Sequence, residues 1–222
     1  MLEDTLDQQQ QAVIVKVFNY GASAYSVKEM VSTLQYRMLD VQPDLVVMAI
    51  IPQDFNLARA PTIDESGYLI DQKLSQFSPP GSMARQVLRG IHLTYVLRDI
   101  GLLWFVKSQD IIRVLSRGEI PESYRYIRHF KESAEQQGIS YVIALLPPMQ
   151  RNIWGPLPGQ LTRDLITYFD LSFLWNEFTK EQYMASRFDP HPSPAVHHRI
   201  GEALADYVRH NQSKFVGLAR SN

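Results

Sequence analysis

Leu45-Val46-Val47-Met48-Ala49-Ile50-Ile51 runs directly into Pro52-Gln53-Asp54-Phe55. An unbroken apolar run this short, rich in β-branched side chains, predicts a strand buried on both faces, and the polar turn that stops it stands at the strand's C-terminal end. Val13 to Phe18 (VIVKVF) predicts a second strand of the same kind, stopped by Asn19-Tyr20-Gly21. Between the two, Ser26 to Asp40 predicts a helix with Val27, Met30, Val31 and Leu34 on one face. Further along, Glu122 to Gln137 predicts a helix that Gly138 ends, Tyr141 to Leu145 and Thr167 to Leu171 predict strands, and Ala195 to Arg209 predicts the last helix. Strands that alternate with helices predict an α/β fold around a parallel sheet.

The chain of 222 residues is 45% hydrophobic and 20% charged, enough to bury one sizeable core, so a single domain over 1–222 is expected. Within it, 57–120 is expected to be a helical and loop insertion. Asn56 to Ser82 carries the breakers Pro61, Pro79, Pro80 and Gly81, and Met83 to Ser116 has helical apolar spacing interrupted at Gly90 and Gly101. A formal charge of −1 gives no electrostatic reason to expect a nucleic-acid partner. With no cysteine, disulfides, thiolate catalysis and cysteine zinc sites are excluded. The opening MLEDTLDQQQQA is acidic and glutamine-rich, unlike a secretory signal. A cytoplasmic location is therefore the default expectation, and export would require a longer natural N-terminus carrying a signal. Ile100 to Val106 (IGLLWFV) lies between Asp99 and Lys107 and is far short of the roughly 20 residues a spanning helix needs. Core packing is its ordinary account, and a lid or substrate wall is the alternative.

In a parallel sheet the strand C-termini share one edge, so the turns after them converge. Asp189-Pro190-His191-Pro192-Ser193-Pro194 precedes the last helix, and three prolines fix an acid two residues before a histidine. His191 is thus a candidate general base and Asp189 the acid that orients it. The backbone N–H of Gly21 and the side-chain amide of Gln53 are candidate oxyanion donors, with Asn19 and Asp54 in supporting positions. Each has an ordinary alternative: a loop histidine, a turn or cap acid, a strand-ending glycine and an exposed turn amide. Asp54 more commonly fixes a turn than performs chemistry. His197 and His198 add no metal site, because neighbouring helical residues diverge by about 100° and no H-E-x-x-H pair is present. His197 is expected to help seat the His191 loop.

Taken in order, Asn19-Tyr20-Gly21 through Tyr25-Ser26, then Pro52-Gln53-Asp54-Phe55, then Asp189-Pro190-His191-Pro192 resemble the glycine, G-x-N-D and terminal Asp/His blocks of the SGNH, or GDSL-type, hydrolases. Leu145-Leu146-Pro147-Pro148 and Tyr168-Phe169-Asp170-Leu171 fall where that family has later strands. The resemblance implies a three-layer, flavodoxin-like parallel sheet and serine hydrolysis of ester bonds. In it His191 and Asp189 complete the catalytic set, Gly21 and Gln53 line the oxyanion hole, and no cofactor or metal takes part. Small-molecule, carbohydrate or lipid esters are the implied substrates. The chain departs from the family in having Gln53 in place of Asn and an acid two rather than three residues before the histidine. The family's Gly-Asp-Ser block has no counterpart before Asn19, so the nucleophile is unassigned and the first strand, central in the order 2-1-3-4-5, is expected to be missing. Little activity is then expected of this chain by itself. The rival expectation is a non-catalytic remnant or ligand-binding module of the same fold.

Overall fold

The computed structural model describes residues 15–22, 25–57, 61–63, 69–71, 111–147, 153–186 and 189–215. Its central feature is a parallel sheet of three strands, β1 (Leu45–Ile50), β4 (Ser140–Leu145) and β5 (Tyr168–Asp170), in the order β1-β4-β5. Register runs from Leu45↔Ser140 to Ile50↔Leu145 and from Ile143↔Tyr168 to Leu145↔Asp170. β4 is the middle strand, buried from Tyr141 to Leu145, as an uninterrupted apolar run demands. β1 alternates instead: Val46, Met48 and Ile50 are buried while Ala49 is exposed, because β1 is an edge of the described sheet.

Helices cover both faces. On the first lie α1 (Val27–Thr33), α2 (Arg125–Gln136) and α3 (Leu157–Arg163), whose Val27, Val31, Ile127, Phe130, Leu157 and Leu161 pack with Val46, Met48, Ile50, Ile143 and Leu145. On the second lies α5 (Pro194–His210), whose Val196, Ile200, Ala203 and Leu204 pack with Ala144, Val47, Leu146 and Phe169. Each fully buried aliphatic side chain contributes about 1.5–3 kcal/mol, so these two clusters hold the layers together. The molecule is therefore a mixed α/β protein with helices on either side of a small parallel sheet.

Local sequence accounts for the element ends. Ser26 caps α1 with a capping box: its hydroxyl accepts from the Lys28 N–H at 3.3 Å, and Glu29 Oε2 accepts from the Ser26 N–H at 2.9 Å and from the Ser26 hydroxyl. α1 continues through a π-turn (Leu34–Met38) and a 3₁₀ turn (Leu39–Val41), so the expected helix reaches the predicted end with a widened second half. Gly138, at φ +66°, stops α2 before β4. Gly155, at φ +49°, brings its backbone so near the helical turn 111–116 that a Cβ would stand 2.2 Å from the Leu115 carbonyl oxygen. Only glycine fits there.

Two expectations are corrected. Residues 15–18 of the predicted strand Val13–Phe18 adopt no regular structure, and Val17 and Phe18 are 41% and 57% exposed; Val13 and Ile14 lie outside the described residues. A β-branched run gains from strand geometry chiefly where it fits a pleated, half-buried surface, and the Val17 and Phe18 side chains face solvent. The predicted loop Asn56–Ser82 contains a short antiparallel pair, β2 (Pro61–Ile63) and β3 (Leu69–Asp71), joined across a sequence rich in turn-forming residues. The remainder of 57–120, including Ile100 to Val106, falls outside the described residues apart from 57 and 111–120.

Candidate functional site

The exits of β1, β4 and β5 form one edge. β1 passes into the 3₁₀ turn Pro52–Phe55, where the Ile51 N–H donates to Asp54 Oδ2 at 2.8 Å and the Asn56 N–H to the Gln53 carbonyl at 3.0 Å. Phe55 is buried beneath the turn, and its carbonyl accepts from the Ser123 hydroxyl at 2.6 Å. Asp54 therefore fixes the turn, and Gln53 stands half-buried on a segment pinned at both ends. β5 leaves through Asp170, whose Oδ1 accepts from the Ser172 N–H at 2.8 Å and opens the 3₁₀ turn Ser172–Asn176.

His191 belongs to β7 (Asp189–Pro192), which pairs antiparallel with β6 (Met184–Ser186) through Met184↔Pro192 and Ser186↔Asp189. The pair is fastened to the sheet from two sides. Before β6, the short helix α4 (Lys180–Tyr183) ends in Tyr183, whose hydroxyl donates to the Pro147 carbonyl at 2.5 Å, two residues beyond β4. After β7, Ser193 caps α5, donates its N–H to the Tyr183 carbonyl at 2.7 Å and its hydroxyl to the Gln182 carbonyl at 2.7 Å. The His191 segment is thereby attached beside the exit of β4. The His191 side chain is exposed, and the Asp189 side chain lies outside what the structure describes.

Gly21 and Asn19 are joined to each other. The Gly21 N–H donates to Asn19 Oδ1 at 2.8 Å, an Asx-type turn on an exposed segment. Among the described residues neither is hydrogen-bonded to Gln53 or His191. An oxyanion at Gly21 would have to displace Asn19. Ser26 is 1% exposed and committed to its capping box, while Ser23 lies outside the described residues.

His197 and His198 lie on the exposed surface of α5, with His198 Nδ1 3.5 Å from Glu202 Oε1. Among the described residues no group of three or more His, Cys, Asp or Glu side chains is placed to hold a metal ion, and no helix is long and apolar enough to cross a membrane. An open groove of about 230 Å³ lies between β5 and α5, lined by Phe169, Phe173, Arg199, Tyr207 and His210 among others, and includes none of the predicted site residues. Two of its polar groups are engaged within the chain: Arg199 pairs with Glu177 at 2.7 Å, and His210 Nδ1 meets the Asp206 carbonyl at 2.7 Å.

Tyr183 is the residue that sequence reasoning missed. It is 1% exposed, its ring stacks on Trp175 at 4.4 Å and 9°, and burial pushes its phenol pKa up to about 12. A lone tyrosine in Lys-Glu-Gln-Tyr-Met carries no motif; only its contacts three-dozen residues away mark it. No protein-family model matches the chain, and comparison with curated proteins and with solved structures yields no match.

Proposed function

We propose that the chain is an SGNH-type hydrolase domain with a flavodoxin-like sheet, acting on ester bonds of small-molecule, carbohydrate or lipid substrates. The observation that carries this reading is the attachment of the His191 segment, through Tyr183 and Ser193, beside the exit of the middle parallel strand. Strand exits of open parallel sheets are where such folds gather their chemistry. In this reading His191 takes the proton of an attacking serine and returns it to the leaving alkoxide, Asp189 orients the imidazole, and Gln53 and Gly21 hold the developing oxyanion. The nucleophile itself is unassigned in this chain, because the family's Gly-Asp-Ser block has no counterpart before Asn19. A binding module of the same fold is the second reading, and the engaged Gly21 N–H favours it.

The test has two arms. This chain alone is expected to show little or no hydrolysis of p-nitrophenyl acetate and no fluorophosphonate labelling, since a base without a nucleophile lacks the covalent route. Labelling at Ser23 or Ser26 would reassign the site. A protein carrying a Gly-Asp-Ser segment upstream of Met1 is expected to hydrolyse the ester, and His191→Ala to lower the rate by roughly 10³-fold or more. Hydrolysis indifferent to His191 removes the proposal, and a folded, ligand-binding but inactive protein establishes the binding module.

A further inference from the structure

We infer that Tyr183 is the positioning residue of the His191 segment: one buried side chain that fixes where β7 stands relative to the exit of β4. The inference rests on the hydrolase reading for its consequence, although the tether itself is a matter of geometry. Three connections meet at this residue. Its hydroxyl donates to the Pro147 carbonyl at 2.5 Å. Its own carbonyl accepts the Ser193 N–H at 2.7 Å, at the residue that caps α5, and its neighbour Met184 pairs with Pro192, next to His191. Its N–H, donated to the Thr179 carbonyl at 2.9 Å, holds it in turn to the capping box of α4.

The tether acts beside a core contact, since α5, which Ser193 caps, packs on Ala144 and Leu146. β6 and β7 form a two-stranded ladder with a register irregularity between Met184 and Ser186, and an isolated pair of this size has little stability of its own. The ring of Tyr183 cannot drift, because Trp175 stacks on it and the second core cluster surrounds it. The hydroxyl bond adds a directional link from this held ring to the Pro147 carbonyl, and so sets how the pair is oriented beside the exit of β4. A displacement of the order of 1 Å at a general base costs up to about 10²-fold in rate, which makes the tether consequential for catalysis without touching substrate.

Tyr183→Phe keeps the stacked ring and removes the bond to Pro147. In the full chain its expected signature is local: exchange of the Ser193 amide faster by about fivefold to tenfold, the fold-change corresponding to the loss of one buried hydrogen bond, and a shift of the His191 ring signals in NMR spectra at constant pH. Phe130→Leu, a core change on the opposite face of the sheet, is the control; it lowers global stability and leaves the His191 signals in place. In the protein carrying the upstream Gly-Asp-Ser segment, Tyr183→Phe is expected to lower kcat about tenfold or more with KM within about twofold. Unmoved His191 signals with unchanged Ser193 exchange overturn the inference, as does an equal shift in Phe130→Leu. Moved His191 signals combined with hydrolysis that ignores His191→Ala overturn the hydrolase reading and leave the tether standing.

Discussion

Val13 to Phe18 and Leu45 to Ile50 are near twins in sequence, each an apolar β-branched run stopped by a polar turn, yet the second is a strand and the described part of the first is irregular and exposed. Leu45 to Ile50 pairs with β4 along its whole length and turns Val46, Met48 and Ile50 into the core shared with α1 and α2, whereas Val17 and Phe18 are exposed. Residues 15–18 belong to none of the described sheets. Strand propensity is thus a statement about a pleated, half-buried surface rather than about the backbone, and the neighbours decide.

The contrast between the two runs breaks most readily at the core. Ile143 is fully buried in β4, the partner that makes Leu45 to Ile50 a strand, so Ile143→Ala is expected to cost about 2–5 kcal/mol in urea unfolding. Phe18→Ala, at a side chain 57% exposed, is expected to change stability by no more than about 0.5 kcal/mol. A cost at Phe18 approaching that at Ile143 would mean that the N-terminal run is a buried strand after all.

What the sequence makes legible follows the same line. β1, β4, β5, α2 and α5 all stand within a few residues of their expected spans, and α1 reaches its expected end only through its π- and 3₁₀-turns, because periodicity, caps and glycine stops are local signals. Pairing is not local, so the sequence alone cannot say that β4 rather than a strand near the N-terminus is the middle of the described sheet. At the site, the turn-fixing role of Asp54 is a local property and follows from its place in Pro52–Phe55. The engagement of Gly21 by Asn19 spans only two residues, and the motif reading, which treats Gly21 as a free donor, conceals it. The bond from Tyr183 to Pro147 joins two distant, unremarkable residues and leaves no trace in a single sequence.

A pH test sharpens the contrast from the side of the strand. Tyr141 enters β4 with its ring edge-on to Phe130 at 5.7 Å, and its pKa is pushed up to about 12, first by burial, then by Glu135, against a lowering bond from Thr167. A phenol whose folded pKa is raised contributes stability that is fully present below the unfolded value of about 10 and is lost as pH rises through the folded one. The chain is therefore expected to lose stability between about pH 10 and pH 12, and Tyr141→Phe, which keeps the ring contact, to lose less over that window. Parallel stability curves for the two proteins would remove Tyr141 from the alkaline transition.

A modest effect lies at the border between the two kinds of chain. Ser26 is where irregular backbone becomes helix, and its hydroxyl both accepts from the Lys28 N–H and donates to Glu29. Ser26→Ala removes both and is expected to cost about 1 kcal/mol, read as a lower urea midpoint with an unchanged slope. Ordinary N-caps accept Asp as readily as Ser. Here Asp keeps the acceptor, loses the donor and sets a second carboxylate against Glu29 at a position only 1% exposed, where like charges repel and desolvation is costly. Ser26→Asp is therefore expected to fall near Ser26→Ala and short of the parent, and Ser26→Thr, which restores both halves of the box, to recover most of the loss. Full recovery by Asp would show that the Glu29 half contributes nothing and that the cap alone sets the boundary of α1.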